Sequence, residues 1–142
     1  DELSRRAKRN GAYNIETRLI ETKYLKRQRG TFDRVLIDAP CSGLGVLRRN
    51  PDTKWKLTPE FLQEIRQTQA QLLAQYSLLV KEGGSLVYAT CSILPSENEQ
   101  QVQHFLASEA GKRFTLVEQH KISATQGYDG FYMAALRVKS EE

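Results

Sequence analysis

The two cysteines of the chain, Cys41 and Cys91, each follow a segment typical of a buried strand. Cys41 lies in DAPCSG after the apolar run FDRVLIDA, and Cys91 lies in TCS after GGSLVYA. A thiolate is a nucleophile that adds readily to an electron-poor carbon. Carbon 6 of a cytosine ring is such a carbon, and thiolate addition there makes carbon 5 able to attack a methyl donor. The residues most capable of catalysis therefore lie at the two strand ends.

Each of these signals also has a purely structural interpretation. A lone cysteine at a strand end is more often a small core residue, and Asp38, three residues before Cys41, could simply cap a turn. Two cysteines fifty residues apart do not make a disulfide framework, and neither has the spacing of zinc ligands, so no metal site is predicted. The hypothesis of thiol catalysis therefore depends on Cys41, Cys91 and Asp38 taken together. In it, Asp38 binds either the cytosine or a cofactor.

The pattern of apolar residues predicts strands that alternate with helices, as in an open α/β sheet. Thr58 as N-cap and Pro59 at the first turn begin a long helix that is expected to stop at Gly83-Gly84. A capping box over Ser96–Glu99 opens the next helix, whose inner face includes Val102, Phe105 and Leu106. The other predicted elements are a helix over 2–10 that stops at Gly11, a strand over 13–20, a loop or short helix over 21–30, and strands over 32–39, 84–92, 113–122 and 130–139, the last two an antiparallel pair.

The strand over 32–39 is expected to be buried on both faces, because its apolar run is continuous. Ligands of α/β sheets bind beyond the carboxyl ends of the strands. Both cysteines follow such ends, so they are expected to face one cleft, close together and without a disulfide bond.

Composition describes one soluble domain of 142 residues with 39% hydrophobic residues, and no apolar run is long enough for a membrane span. Charge is uneven: residues 1–30 hold nine Lys or Arg against four Asp or Glu, and the remainder holds twelve against thirteen. A basic segment such as residues 1–30, called the basic front below, is typical of proteins that bind nucleic acid. A solvated helix face would have the same composition.

The segments DAPCSGLGVLRRNPDTKW, GGSLVYATCSILPSENE and GFYMAAL resemble those of the Sun/Fmu-type (NOL/NOP/Sun) RNA cytosine-5 methyltransferases. The resemblance runs from about Gly11 to the end of the chain. It implies a Rossmann-like methyltransferase sheet, S-adenosylmethionine as cofactor, RNA, and ribosomal RNA in particular, as partner, and a cytoplasmic location.

The resemblance also implies roles for single residues. Cys91 would be the nucleophile on carbon 6, and Cys41 would assist release of the methylated product by acting in proton removal. Asp38 would contact the cofactor or the cytosine ring. Three basic residues of the following loop would meet RNA phosphate: Arg48, Arg49 and Lys54. The residue types themselves suggest structural roles nearby: Trp55 is expected to be a packing anchor, and one of Arg48 and Arg49 is expected to be solvated. Phe131 and Tyr132, in the closing strand, are expected to serve the core.

The glycine-rich loop and ribose-binding acid of such methyltransferases have no counterpart in the sequence. Residues 1–142 are therefore expected to be a partial catalytic domain without its first two strands, inactive alone and with an incomplete cofactor site. At the adenine-contacting position the sequence aligns Glu21-Thr22, which leaves that contact open.

Two alternatives remain. A non-catalytic RNA-binding α/β module would use the basic front, but it would need no second thiol at the strand ends. A methyltransferase acting on exocyclic amines would carry an Asn/Asp-Pro-Pro-aromatic signature where this chain reads Asp38-Ala39-Pro40-Cys41. An amine is already nucleophilic and needs no thiol. The sequence does not choose among oligomeric states.

Overall fold

The protein, described by a computed structural model over residues 2–140, contains a four-stranded sheet. Its strands are β1 (Phe32–Asp38), β2 (Val80–Thr90), β3 (Phe114–Ile122) and β4 (Phe131–Val138). They lie in the order β1-β2-β4-β3, with β1 parallel to β2 and β4 antiparallel to both of its neighbours. The predicted α/β organisation with an antiparallel closing pair is therefore confirmed.

Helices precede and connect these strands. Over residues 2–140 they are α1 (Glu2–Arg9), α2 (Thr22–Arg27), α3 (Thr53–Lys56), α4 (Pro59–Tyr76) and α5 (Glu99–Ala107). Helices α1, α4 and α5 confirm three predictions: the helix over residues 2–10, the long helix that begins after Thr58, and the helix whose inner face includes Val102. The Thr58 Oγ1 atom accepts a hydrogen bond from the Phe61 backbone N–H at 3.1 Å, so the predicted cap of α4 is confirmed as well.

One hydrophobic cluster joins α4 and α5 to the sheet. Leu73 of α4 and both Val102 and Phe105 of α5 are buried in it, and Leu106 packs against it. The strands contribute Ile37, Leu86, Tyr88, Tyr132, Ala134, Leu136 and Val138. This packing holds β1 and β2 against the two helices, and it thereby fixes the loops that follow both strands.

The strand predicted over 13–20 is wrong: within residues 2–140 this segment forms neither helix nor strand. Its apolar side chains lie in solvent, with Tyr13 84% and Leu19 89% exposed. Glu16 and Arg18 pair with each other instead of facing a neighbouring strand. An alternating pattern makes a strand only when another strand bonds its backbone groups, and the edges of the described sheet are β1 and β3.

The prediction that β1 is buried on both faces is also wrong. Ile37 is 3% exposed and belongs to the core cluster, whereas Leu36 is 67% exposed. Successive residues of a strand point to opposite faces, and α4 and α5 pack on the Ile37 face. A continuous apolar run shows that both faces of a strand could be buried. Whether they are buried depends on which elements pack against each face.

Two predicted element ends need correction. Helix α4 ends at Tyr76, a 3-10 turn follows, and β2 begins at Val80, so Gly83-Gly84 lies inside a strand. Gly83 has a φ of +68°, and the β1–β2 register is irregular there, advancing two residues on β1 and five on β2. The capping box predicted to open α5 is wrong too, because the N-cap is Asn98 and its side chain makes no capping hydrogen bond.

Candidate active site

The two thiols meet where β1 and β2 end. The parallel register pairs Asp38 with Ala89, so Cys41 and Cys91 follow their strands at nearly equivalent positions. Their Sγ atoms lie 3.1 Å apart, and both cysteines are free. The predicted juxtaposition without a disulfide bond is confirmed. The chemical roles of the two thiols remain predictions.

The environment of the pair favours the protonated form of Cys41. Burial, with a further contribution from the neighbouring Cys91 thiol, raises the pKa of Cys41 to about 12. A thiol with this pKa is protonated at neutral pH, and a protonated thiol is a poor nucleophile. The protonated form suits Cys41 to handle a proton, and the role of Cys91 as nucleophile stays a prediction.

A single buried carboxylate, Glu97, bonds to both loops that carry the cysteines. The Ser42 backbone N–H donates to its Oε1 atom at 2.8 Å, and the Ser42 hydroxyl donates to Oε2 at 2.7 Å. The Ser92 hydroxyl also donates to Oε2. Gln69 of α4 donates from Nε2 to Glu97 Oε1 at 3.1 Å and to the Pro40 carbonyl at 2.9 Å. Glu97, itself 0% exposed, thus connects the residues that directly follow Cys41 and Cys91.

Asn98 extends this network along β2. Its Nδ2 donates to the Ser92 carbonyl at 2.8 Å, and its Oδ1 accepts from the Thr90 hydroxyl at 2.5 Å. The Tyr88 hydroxyl donates to the Glu97 carbonyl at 2.6 Å. Burial raises the pKa of Tyr88 far above its ordinary value, so this hydroxyl keeps its proton. Satisfied buried networks of this kind make a site rigid.

The loop after Cys41 is fixed to the start of β4 by two glycines. The Gly45 N–H donates to the Cys91 carbonyl at 2.9 Å, and the Gly130 N–H donates to the Gly45 carbonyl at 2.7 Å. A Cβ atom added to Gly45 would lie 2.1 Å from the Gly130 oxygen. Glycine is therefore required by the close approach of the two backbones.

The three basic residues predicted to meet RNA, Arg48, Arg49 and Lys54, lie on the surface. Arg49 forms an ion pair with Asp129 at 2.5 Å, next to Gly130, whereas Arg48 is exposed. The Lys54 ammonium lies 4.9 Å from the centre of the Trp55 ring, and Trp55 is 79% exposed. The prediction that Trp55 anchors the core is wrong, because it lies on the short surface helix α3.

Asp38 is the last residue of β1, and its side chain is exposed. This position leaves its carboxylate accessible to a ligand, although its predicted role remains untested. Tyr132 is 1% exposed and Phe131 is partly buried, so the expected core position is confirmed for Tyr132.

Sequence reasoning missed Glu97, Ser42 and Ser92. Each cysteine is followed by a serine, and this repeated Cys-Ser pair at two strand ends was the available signal. Glu97 lies inside the Ser-x-x-Glu pattern formed by Ser96 and Glu99, which usually caps a helix, and an intervening position of that pattern has no role of its own. Its burial follows from the two loops that converge on it, which no local pattern indicates.

Two further properties concern residues 2–140 as a whole. There, His, Cys, Asp and Glu side chains do not gather in groups of three that could hold a metal ion. The helices of this part of the chain are too short or too polar to cross a membrane.

The fold has counterparts among solved structures. The crystal structure of NSun6 from Pyrococcus horikoshii with SFG is similar over 99% of this chain and 38% of its own, with a TM-score of 0.83 at 23% identity. That likeness shows the fold, a Rossmann-like α/β sheet.

Sequence comparison then gives the family. The family model described as 16S rRNA methyltransferase RsmB/F matches residues 1–137, and the chain belongs to this family. The ribosomal RNA small subunit methyltransferase B of Shewanella oneidensis is 43% identical over 114 residues, covering 74% of this chain and 27% of the relative. That of Proteus mirabilis is 44% identical over 108 residues, covering 76% and 25%. The chain thus spans about a quarter of the length of these curated relatives.

Proposed function

We propose that this chain carries the catalytic thiols of an RNA cytosine-5 methyltransferase that acts on ribosomal RNA. The observation that carries the proposal is the pair of free thiols, 3.1 Å apart, at the carboxyl ends of β1 and β2. A non-catalytic RNA-binding module has no use for two converging thiols at this edge. Membership of an rRNA methyltransferase family supports the RNA substrate.

Cys91 begins the reaction by adding its thiolate to carbon 6 of the cytosine. The new sulfur–carbon bond moves electron density to carbon 5, which becomes nucleophilic and receives the methyl group. Burial raises the pKa of Cys41 and favours its protonated form, which adds poorly to carbon 6.

Cys41 acts when the product is released. A base takes the proton from carbon 5, the electrons of that bond restore the double bond between carbons 5 and 6, and the Cys91 sulfur leaves. At a separation of 3.1 Å, Cys41 can pass its own proton to the departing Cys91 sulfur while it accepts the proton from carbon 5. Both thiols are then protonated, and Cys91 gives its proton to solvent before it adds to the next cytosine as a thiolate.

S-adenosylmethionine is the proposed methyl donor, and the described residues fit part of it. When bound, it supplies an electrophilic methyl group on a sulfonium sulfur. Asp38, exposed at the end of β1, has a carboxylate that can accept hydrogen bonds from ammonium or hydroxyl groups, both of which this cofactor carries. Arg48 and Lys54 are exposed in the loop after Cys41, where RNA phosphate would meet them.

Covalent trapping on RNA that contains 5-fluorocytosine tests the proposal. The fluorine at carbon 5 cannot leave as a proton, so the adduct persists and migrates as a protein–RNA complex under denaturing conditions. The full-length protein should form it with S-adenosylmethionine present, and Cys91→Ser should not. A Cys91→Ser protein that still forms the adduct would refute the assignment.

A further inference from the structure

We propose that Glu97 is a positioning residue of this site, and that its buried carboxylate fixes how the Cys41 and Cys91 thiols lie relative to each other. The geometric statement stands on the contacts of the chain alone. Its catalytic consequence rests on the proposed function. Glu97 bonds to the residues that follow the two cysteines, so it acts through them.

The bonds of Glu97 converge from both loops on one group. The hydroxyls of Ser42 and Ser92 both donate to Oε2, and these hydroxyl oxygens lie 3.2 Å apart. A shared acceptor sets the distance between its donors, because each must stay within hydrogen-bond range of the same atom. Each serine directly follows a cysteine, so this constraint passes to the thiols through one peptide unit.

The four donors of the pocket select a carboxylate in particular. The Ser42 N–H and the Gln69 amide are donors there, and both serine hydroxyls donate as well. An ionised carboxylate offers acceptors only and suits all four. A glutamine at position 97 would turn an NH₂ group towards donors and would lose bonds on one side.

Stability alone gives little reason for this carboxylate. Taking a charged group out of water is costly, and well-packed apolar residues are often at least as stabilising as buried charges. Glu97 is 0% exposed and lies where two strand-end loops meet a helix. A rigid polar clamp at that place serves a pair of groups that must exchange a proton at short distance, since small misplacements are costly in catalysis.

Selective alkylation of the 142-residue chain tests the geometric statement. Iodoacetamide at pH 8 and mass spectrometry give separate rates for Cys41 and Cys91. The ratio of the two rates in the natural chain is the reference, and it reflects how the pair of Sγ atoms 3.1 Å apart is held and covered. In Glu97→Gln the loops separate and the two thiols lose their fixed relative position, so the ratio of the two rates should change at least about fivefold.

A matched control separates position from stability. Ser77 is also fully buried, and its hydroxyl donates to the Ala74 carbonyl beyond the opposite end of β2. Ser77→Ala should lower the melting temperature and leave the ratio unchanged. If Glu97→Gln folds and keeps the natural ratio, the inference is wrong. If it does not fold, Ser92→Ala decides, because it removes one of the hydrogen bonds to Glu97: a changed ratio supports the inference, and an unchanged ratio overturns it.

The catalytic consequence has its own readout in the full-length protein. Glu97→Gln should lower kcat by about 100-fold, the scale of a displacement of about 1 Å, with little change in KM. An unchanged kcat would overturn the catalytic part. Failure of the natural protein to form the 5-fluorocytosine adduct would instead contradict the proposed function, and the alkylation ratio would remain a valid result for Glu97.

Discussion

Gly45 and Gly130 meet backbone to backbone, with the Gly130 N–H donating to the Gly45 carbonyl at 2.7 Å. The same Gly45 donates to the Cys91 carbonyl, so the loop after Cys41 is bonded both to the other cysteine and to the start of β4. An added Cβ at Gly130 would lie 2.9 Å from the Gly45 Cα atom and 2.7 Å from the Ile93 side chain. The loops after Cys41 and Cys91 are therefore packed against the residue that precedes β4, and no space remains for a side chain at position 45 or 130.

Gly45→Ala should accordingly destabilise the chain and disturb the thiol pair. The methyl group would force the backbones apart, and overpacking of this kind lowers the free energy of unfolding by about 1–3 kcal/mol. Gly30→Ala is a suitable control, because Gly30 has a φ of +66° but open space around it. Urea denaturation measures both, and an alanine at position 45 tolerated better than one at position 30 would contradict the close approach.

The two cysteines should differ in the product that accumulates. With ordinary cytosine RNA, Cys41→Ala in the full-length protein should slow turnover and allow covalent protein–RNA complexes to build up, because release needs the proton acceptor. Cys91→Ala should abolish both methylation and the complex. Denaturing gel electrophoresis with labelled RNA distinguishes these outcomes, and complexes formed by Cys91→Ala would reverse the assignment of the two thiols.

Local chemistry explains which parts of this fold were predictable. Thr58 and Pro59 start a helix whatever its surroundings, and the strand-end positions of Cys41 and Cys91 follow from the apolar runs before them. Leu36 and Trp55 were misjudged because exposure depends on which element covers a residue. The residues adjacent in sequence do not indicate which element packs over a given side chain.

Glu97 illustrates the second limit. It lies within a local pattern, Ser96 to Glu99, that is typical of a helix cap, yet its partners Ser42 and Gln69 lie 55 and 28 residues away. Convergence of three segments on one carboxylate is a property of the tertiary structure. The repeated Cys-Ser pair indicated two similar loops, but it did not indicate the group that binds them.

Stability should decline in alkaline solution, in part through Cys41. Its pKa is raised from an ordinary value of 9.0 to about 12 by burial. A raised pKa gives stability that is fully present below pH 9 and is lost as the pH rises towards 12. Tyr132 contributes in the upper part of this range, since burial raises its pKa from 10.0 to about 12.

Urea denaturation at several pH values tests this dependence. The free energy of unfolding should be level between pH 7 and 8 and fall above pH 9. In Cys41→Ser the hydroxyl does not titrate in this range, so the decline between pH 9 and 10 should become shallower than in the natural chain. Identical slopes in the two proteins would mean that Cys41 is not perturbed by burial.

RNA affinity should depend on salt, with a contribution from the loop after Cys41. Arg48 is exposed, and replacing a phosphate-contacting residue by glutamine should reduce the salt slope of binding by about one. Lys112→Gln is the control, because Lys112 is exposed and pairs with Glu109 after α5. Filter binding of single-stranded RNA at several salt concentrations gives both slopes. Equal slopes for the two variants would argue against a phosphate contact at Arg48.

S-adenosylmethionine should bind the 142-residue chain only weakly. Asp38 is the acidic side chain that β1 presents at its carboxyl end, and it is exposed to solvent. An exposed charged contact contributes at most about 1 kcal/mol, whereas micromolar affinity needs about 8 kcal/mol. Isothermal titration should therefore give a dissociation constant in the millimolar range or above. Asp38→Asn should weaken any measurable binding further. Micromolar binding that survives Asp38→Asn would place the cofactor elsewhere on the chain and remove Asp38 from the site, since no other contact proposed here could supply the difference.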